Sequence, residues 1–178
     1  MGQLFERRRF TFERLIGLYA DFSGVVSDDL ARANEVNAAL CHGAPASRTD
    51  EEGFSQWVAY LAKVDSPRHE HCKNLARLAF QLRILDRDQG TTDLVQKVRQ
   101  SQPWFFYHPF ILRRDAWESD TRRSQEDDYK RNIAAYSSLL EQLVEAVGVK
   151  YGNRSFSLRS LARRWFARST SSSMSSTA

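Results

Sequence analysis

The sequence has little of what stiffens small secreted domains or interrupts helices: its 178 residues include two cysteines, four prolines and eight glycines. Two cysteines cannot build the disulfide framework of a small secreted protein, and eight glycines leave little room for elaborate active-site loops. No stretch approaches the ~18 consecutive apolar residues of a membrane span. Three arginines at positions 7–9 lie where a secretory signal would have its apolar core. We therefore expect a cytoplasmic protein that is neither secreted nor transmembrane.

Positive charge is concentrated at the C-terminal end. The net charge is +4, and the proportions of hydrophobic (42%) and charged (27%) residues are those of ordinary globular domains. Residues 1–148 hold 20 of the 26 Lys and Arg and all 22 Asp and Glu, whereas residues 149–178 hold six cations and no acid. Of the 26 cations 21 are arginine, whose planar fork grips phosphate or carboxylate at two points. The sequence thus predicts a slightly acidic body with a basic end.

Apolar residues recur at helical spacing through most of the chain, and strand-like alternation is nearly absent. The spacing predicts a first helix over residues 4–22. Ser27 followed by Asp28 and Asp29 is typical of an N-cap with first-turn acids, which predicts the start of a second helix that stops near Gly43.

Two more helices are predicted after a short loop. Thr49 and Glu52 fit a capping box, in which each side chain satisfies a backbone donor of the other residue. The apolar stripe behind this box comprises Phe54, Trp57, Val58, Leu61 and Val64. Pro67 suits the first position of the next helix, which is expected to run to about Asp88 and to be ended by Gly90.

Caps and spacing also predict the last two helices of the body. Thr91 or Thr92 with Asp93 starts a short helix, and Ser124 caps a long one with acids in its first turn. The apolar stripe of the long helix comprises Tyr129, Ile133, Tyr136, Leu140, Leu143 and Val147. This heptad spacing covers too few turns for a self-standing coiled coil, so we expect a central packing helix that Gly148 ends.

Two segments depart from the body's pattern. Residues 101–112 hold two prolines and five aromatics, which predicts a loop clamped over the core in preference to a stacking surface for bases or a partner. Residues 157–168 fit a short basic amphipathic helix, and residues 169–178, with eight hydroxyl side chains in ten, predict a disordered tail.

The predicted fold class is therefore all-α: a bundle of about six to seven helices with a disordered Ser-rich C-terminal tail. The expected organisation is a helical bundle domain over residues 1–148, a basic amphipathic helix over 149–168 and the tail over 169–178.

The cysteines and histidines supply enough ligands for a zinc site. These residues are Cys41, His42, His69, His71 and Cys72. Their spacing matches no standard zinc finger, and two histidines two positions apart on a helix point to different sides. Solvated histidines are the favoured interpretation, so no metal site, no disulfide and no cofactor is predicted.

Catalytic motifs are missing from the sequence. It contains no glycine-rich phosphate loop, no G-x-S-x-G elbow, no H-E-x-x-H and no E-x-x-H pair. Its clustered acids all fall where a helix is predicted to begin, and the helix dipole explains them without an acid–base role. We expect a protein that is not an enzyme.

The arginine-rich C-terminal helix is the first candidate for a binding element. Its cations are Arg159, Arg163, Arg164 and Arg168. Such a helix can bind nucleic-acid phosphates, an anionic membrane surface or an acidic groove on another protein. It can equally be a docked terminal helix whose arginines surround a buried Trp165. Among anionic partners, nucleic acid is favoured over membrane.

The C-terminal third carries a set of motifs in fixed order: Asp120-Thr121-Arg122-Arg123, Asp127-Asp128, an apolar-striped helix through Ile133 and Leu140, Tyr151, Ser155-Phe156 and Trp165. In this order they resemble the coat proteins of rod-shaped, tobamovirus-type plant viruses. The resemblance implies a four-helix bundle that assembles helically and packages single-stranded RNA. It also implies that Arg113, Arg114, Arg122 and Arg123 face RNA, that Asp127 or Asp128 orients them, and that the protein lies within a viral particle.

Two functional hypotheses follow. The first is a non-enzymatic helical subunit that assembles with copies of itself or other subunits and contacts nucleic-acid backbone, RNA being favoured, through its arginines. The alternative is a protein–protein adaptor held at an anionic membrane surface by its basic amphipathic ends.

Overall fold

The computed structural model describes the backbone of residues 2–42, 51–103 and 119–151, and the side chains of residues 10–40, 51–103, 124 and 126–151. In these ranges the chain forms five helices and no strand. They are α1 (Gly2–His42), α2 (Glu51–Asp65), α3 (Arg68–Leu85), α4 (Gln89–Gln100) and α5 (Ser119–Tyr151). The all-α prediction is confirmed. None of these helices is long and apolar enough to cross a membrane over the residues described.

Several predicted features lie outside the described residues. They are the capping residue Thr49, the aromatic run from Trp104 to Phe110, the basic helix over residues 157–168 and the Ser-rich tail.

The first two predicted helices form a single continuous helix in the structure. The described ranges therefore contain five helices, whereas the sequence predicts six there. Helix α1 continues through residues 27–29 to His42, and the predicted helix start at Ser27 is wrong. The buried positions of α1 include residues 15, 19, 22, 26, 29, 33, 36 and 40, in unbroken steps of four and three. Asp29 occupies one of these core positions, where it is fully buried, instead of a solvated first turn.

The middle helices follow the prediction closely except at one junction. Pro67 immediately precedes α3, and the stripe of α2 faces inward with Trp57, Leu61 and Val64 buried. Helix α3 ends at Leu85, before the predicted stop at Gly90, and Gly90 lies inside α4. The cap of α4 is Asp88, whose carboxylate accepts a hydrogen bond from the backbone N–H of Thr91 at 2.9 Å.

Helix α5 is longer at both ends than predicted. It begins at Ser119 instead of Ser124, which moves Asp127 and Asp128 from the first turn to the interior of the helix. It also passes through Gly148 to Tyr151, because Val147 and Tyr151 are buried and their packing outweighs the weak helical preference of glycine. The predicted role as a central packing helix is confirmed by its buried stripe, which includes Tyr129, Tyr136 and Leu143.

Two hydrophobic clusters form the core, and α1 and α5 span both. The larger cluster joins the first half of α1 to α3, α4 and the C-terminal half of α5. The smaller cluster joins the second half of α1 to α2 and to Tyr129 and Ile133 of α5. Helices α1 and α5 therefore run antiparallel, and Phe12 meets Tyr151 edge-on with ring centroids 5.6 Å apart.

We predict that Gly148→Ala stabilises the protein by about 0.5–1 kcal/mol, because alanine loses less backbone entropy in a helix interior. A Cβ at this position meets no atom within 4 Å. The free energy of unfolding from denaturant titration measures the effect. Gly90→Ala is the matched control with a smaller gain, since its Cβ would lie 3.3 Å from the Asp88 carboxylate that caps α4. A loss of stability in Gly148→Ala would contradict the placement of this residue.

Candidate functional site

A buried ion pair lies where α1, α2, α3 and α5 meet. Asp29 of α1 and Arg68, the first residue of α3, have side chains that are 0% and 1% exposed. The Nε of Arg68 donates to Oδ1 of Asp29 at 2.9 Å. The other carboxylate oxygen of Asp29 accepts a hydrogen bond from the Gln102 side chain at 3.2 Å. Both members of the pair are therefore held by further hydrogen bonds, as a charge removed from water requires.

The rest of the Arg68 guanidinium connects three further parts of the chain. One terminal nitrogen donates to Asp65 at the end of α2, at 3.3 Å, and to the hydroxyl of Tyr129 in α5, at 3.2 Å. The other terminal nitrogen donates to the backbone carbonyl of Pro103. We call Asp29, Arg68 and these partners the Arg68 centre.

The electrostatics of the Arg68 centre favour the ion pair. Burial opposes the charge on Arg68, but the hydrogen bond to Asp29 and the charge of that carboxylate outweigh it, so the pKa of Arg68 is raised. Burial raises the pKa of Tyr129 well above its usual range, although the neighbouring Arg68 opposes this shift. The hydroxyl of Tyr129 therefore stays neutral and serves as a hydrogen-bond partner.

Two polar atoms beside this centre have no hydrogen-bond partner among the described residues. They are Nδ1 of His71 and the hydroxyl of Tyr136. The His71 nitrogen lies 3.8 Å from Oδ1 of Asp29, beyond hydrogen-bond distance. The His71 ring thus faces a carboxylate already committed to Arg68.

The candidate zinc ligands are not brought together in the described part of the chain. His69 is exposed, whereas His71 and Cys72 are half-buried. No group of three His, Cys, Asp or Glu side chains in the described ranges could hold a metal ion. The side chains of Cys41 and His42 lie outside those ranges.

A second buried carboxylate, Asp86, lies between α3 and α4 at the other end of the bundle. Its Oδ2 accepts hydrogen bonds from the hydroxyls of Tyr19 at 2.6 Å, Tyr151 at 2.8 Å and Thr91 at 2.8 Å. Its Oδ1 accepts from the ammonium of Lys150 at 2.9 Å and from the backbone N–H of Asp88 at 3.0 Å. This Asp86 centre ties α1, α4 and α5 to the end of α3.

The Asp86 centre is built for an ionised carboxylate. Burial disfavours the charge on Asp86, but the donors, led by Tyr19 and followed by the Asp88 backbone and Lys150, outweigh burial and hold its pKa well below the usual range. Burial likewise disfavours the charge on Lys150, yet its hydrogen bonds to Tyr151 and Asp86 raise its pKa. The lone pairs of Asp86 that could accept a substrate proton are occupied by five donors of the chain itself.

An open groove of about 590 Å³ runs beside this centre, between α4 and α5. Its walls combine apolar side chains with Lys150 and two acids, Asp88 and Glu145. Lys150 is already bound by Asp86 and, at 3.2 Å, by Asp88. The described walls of the groove therefore offer no free cation for an anionic ligand.

The predicted arginine site is described only in part. Arg122 and Arg123 lie in the first turns of α5, and their side chains are outside the described ranges. Arg113, Arg114, Arg159, Arg163, Arg164 and Arg168 also lie outside the described residues.

The two acids that were expected to orient these arginines are exposed and have ion-pair partners on α5 itself. Asp127 lies 3.9 Å from Lys130, and Asp128 pairs with Arg131.

Sequence reasoning missed a basic surface on the outward side of α3. Phe80 and Ile84 are 65% and 63% exposed there. The cations of the same side are Lys73, Arg77, Arg83 and, just past the end of the helix, Arg87, all exposed. We call these six residues the α3 outer face. The signal was present in the sequence, because residues 73, 77, 80, 84 and 87 follow the same steps of four and three as the buried face opposite.

Comparisons with protein-family models, curated proteins and solved structures gave no match to this chain. The resemblance to rod-shaped virus coat proteins stays a prediction.

We predict that Arg68→Met lowers the free energy of unfolding by about 3–5 kcal/mol, because it leaves the Asp29 carboxylate buried without a counter-charge. Adding Asp29→Leu should recover part of the loss, because the double variant buries no uncompensated charge at this pair. Denaturant titration measures the free energy of unfolding of Arg68→Met, of Asp29→Leu and of the double variant. Arg83→Met is the control on the same helix, exposed and expected to change stability by less than about 0.5 kcal/mol. A double variant whose destabilisation equals the sum of the two single effects would show that the pair is not coupled.

We predict that Asp86→Asn lowers stability at neutral pH by about 1–3 kcal/mol, the range for removing charged hydrogen bonds. The folded-state pKa of Asp86 is depressed, so its stabilisation is present above the unfolded pKa of about 3.9 and is lost as pH falls below it. The difference in stability between Asp86→Asn and wild type should therefore become smaller below about pH 4. Thermal unfolding at a series of pH values tests this, with the exposed Asp93→Asn as control. A gap that stays constant into the acid range would show that Asp86 is not held as the anion.

Proposed function

We propose that this protein is a non-enzymatic helical subunit of a larger assembly that contacts nucleic-acid backbone, RNA being favoured, through arginines. The observation that supports the RNA contact best is the early start of α5 at Ser119, which puts Arg122 and Arg123 in the first turns of a 33-residue helix. The N-terminal end of a helix carries partial positive charge and favours bound phosphate, and two guanidinium groups strengthen that field.

The structural role is supported by the hydrogen-bond partners of the buried charged groups. The Asp29–Arg68 pair and Asp86 each join three or more helices, and the lone pairs of both carboxylates are occupied by donors of the same chain. Ionisable groups with such partners hold helices together, and few of their lone pairs are left to exchange a proton with a substrate. The proposal accordingly assigns the protein's activity to its outer surface.

The mechanism of the RNA contact is release of counterions together with arginine–phosphate forks, with little reading of base sequence. Asp127 and Asp128 have cationic partners on α5. The proposal therefore rests on the arginines without an orienting role for these acids. The similarity of motif order to tobamovirus-type coat proteins supports RNA over DNA as the nucleic acid.

We predict that the full chain binds mixed-sequence single-stranded RNA with an affinity that falls steeply with salt. Arg122→Ala with Arg123→Ala should reduce the slope of log affinity against log salt by up to about 1.4, at about 0.7 for each phosphate that is no longer neutralised. Fluorescence anisotropy between about 50 and 200 mM salt measures both slopes.

Lys130→Ala with Arg131→Ala is the matched control, because it removes the same charge from the same helix at positions already paired with acids. We expect a smaller change in slope for this variant. Binding that is absent or insensitive to salt contradicts the proposal. Flotation with anionic vesicles in the absence of RNA binding would favour the membrane-associated adaptor instead.

A further inference from the structure

The α3 outer face has the make-up of a protein interface. Phe80 and Ile84 lie one turn apart at its centre, Arg77 lies on the same stripe one turn before Phe80, and Arg87 follows just past the end of α3. An apolar centre with a charged rim is the usual anatomy of a protein–protein contact. Two exposed large apolar side chains contribute nothing to binding phosphates, so this pattern favours a protein partner over nucleic acid.

Most charges of the α3 outer face have no ion pair within the part of the chain that the structure describes. Arg77, Arg83 and Arg87 have no ion pair with any described residue, and Lys73 has only a long one, 3.9 Å from Glu70. The stripe from residue 73 to residue 87 contains no exposed acid on the outward side. A partner for this face must therefore be acidic.

The same chain carries three acids along one exposed side of α1, with the exposed Arg14 and Arg32 beside them. Asp21, Asp28 and Glu35 recur every seven residues, are exposed and lie on the side of α1 away from the core. Residues with little or no side chain lie along the same side, at Gly17, Gly24, Ala31 and Ala38. We call these seven residues the α1 outer face. Asp21 and Asp28 have no ion-pair partner among the described residues, and Glu35 pairs only with Arg32 at 2.8 Å.

The two faces are similar in length and opposite in charge. The acids span residues 21–35 of α1 and the helical part of the α3 outer face spans residues 73–84, which is ~21 Å and ~17 Å at a helical rise of 1.5 Å per residue. The small residues of the α1 outer face leave room for side chains as large as Phe80 and Ile84. The acids of α1 would repel RNA, which makes this face unsuitable for the nucleic acid itself.

The two faces cannot meet within one chain. The inward sides of α1 and α3 pack against each other, with Tyr19 and Phe22 in the same core cluster as Leu75 and Leu78. Their outer faces therefore point away from the shared core. Contact between them needs a second molecule.

We propose that the α3 outer face of one copy docks on the α1 outer face of the next copy. The inference rests on the proposed function as an assembly subunit and names the contact that builds the assembly. Because the two surfaces differ, the contact is head-to-tail, and it generates rings or open filaments instead of closed two-fold dimers.

The test uses nuclease-treated, RNA-free full-length protein in sedimentation velocity over a range of concentrations. Wild type should associate beyond a dimer as concentration rises. Arg77→Glu with Arg87→Glu should abolish association, because the remaining Lys73 and Arg83 then leave the α3 outer face without net charge. Asp21→Arg with Asp28→Arg should also abolish association, because the α1 and α3 outer faces then both carry net positive charge. Mixing the two variants should restore association as far as pairs, since the unaltered α3 outer face of the aspartate variant can dock on the unaltered α1 outer face of the arginine variant.

The apolar centre has its own test. Phe80→Ala with Ile84→Ala should weaken association at least about tenfold, as expected for residues at the centre of an interface. Tyr60→Ala on α2 is the matched control, because Tyr60 is 52% exposed but lies on neither face.

A monomeric wild type, or charge-reversed variants that associate as wild type does, would overturn the proposal. So would loss of RNA binding in Arg77→Glu with Arg87→Glu while self-association stays intact, because the α3 outer face would then be a nucleic-acid surface. Removing the RNA contact at Arg122 and Arg123 leaves the contact between copies untouched, so failures of the two proposals are distinguishable.

Discussion

A carboxylate buried in a helical bundle must be met by a cation and by enough donors to replace water, and Asp29 imposes that requirement on this fold. Arg68 meets it from the start of α3, and the same guanidinium reaches the end of α2, the middle of α5 and the backbone at Pro103. The positions of four helices are therefore fixed by a single side chain. Hydrophobic packing alone could let these helices slide, whereas a guanidinium with five directed donors specifies their register.

At the other end of α3, Asp86 joins helices as Arg68 does at the start of α3, but the central group is an anion instead of a cation. There the buried carboxylate is the hub, and hydroxyls from α1, α4 and α5 together with Lys150 surround it. Helices α1 and α5 run antiparallel through both hydrophobic clusters, and the two buried centres bind this helix pair at two different levels. The surfaces left for function are the outward sides, where charge is exposed and, on α3, largely unpaired among the described residues.

The outward sides explain how a net charge of only +4 can coexist with strong local fields. On α1 the acids recur every seven residues, and on α3 the cations flank two exposed apolar side chains. Under the proposed contact between copies, opposite signs on opposite sides of one bundle would make each molecule complementary to its neighbour without a large net charge. The proposed RNA contact at the start of α5 and the proposed contact between copies use different residues of the chain.

The sequence by itself determined that the protein is helical and which side of each helix is apolar, because helical periodicity is local and survives without knowledge of the partner. It also placed a helix start at Pro67, within one residue of where α3 begins, and the stripe of α5 in the core. Helix ends and the role of Asp29 were decided only by tertiary structure. An acid after a serine resembles a helix start, and only the arrival of Arg68 from 39 residues away makes the same carboxylate a buried partner. Gly148 is similar: a residue that stops helices in isolation continues one here, since Val147 and Tyr151 bury their side chains on either side of it.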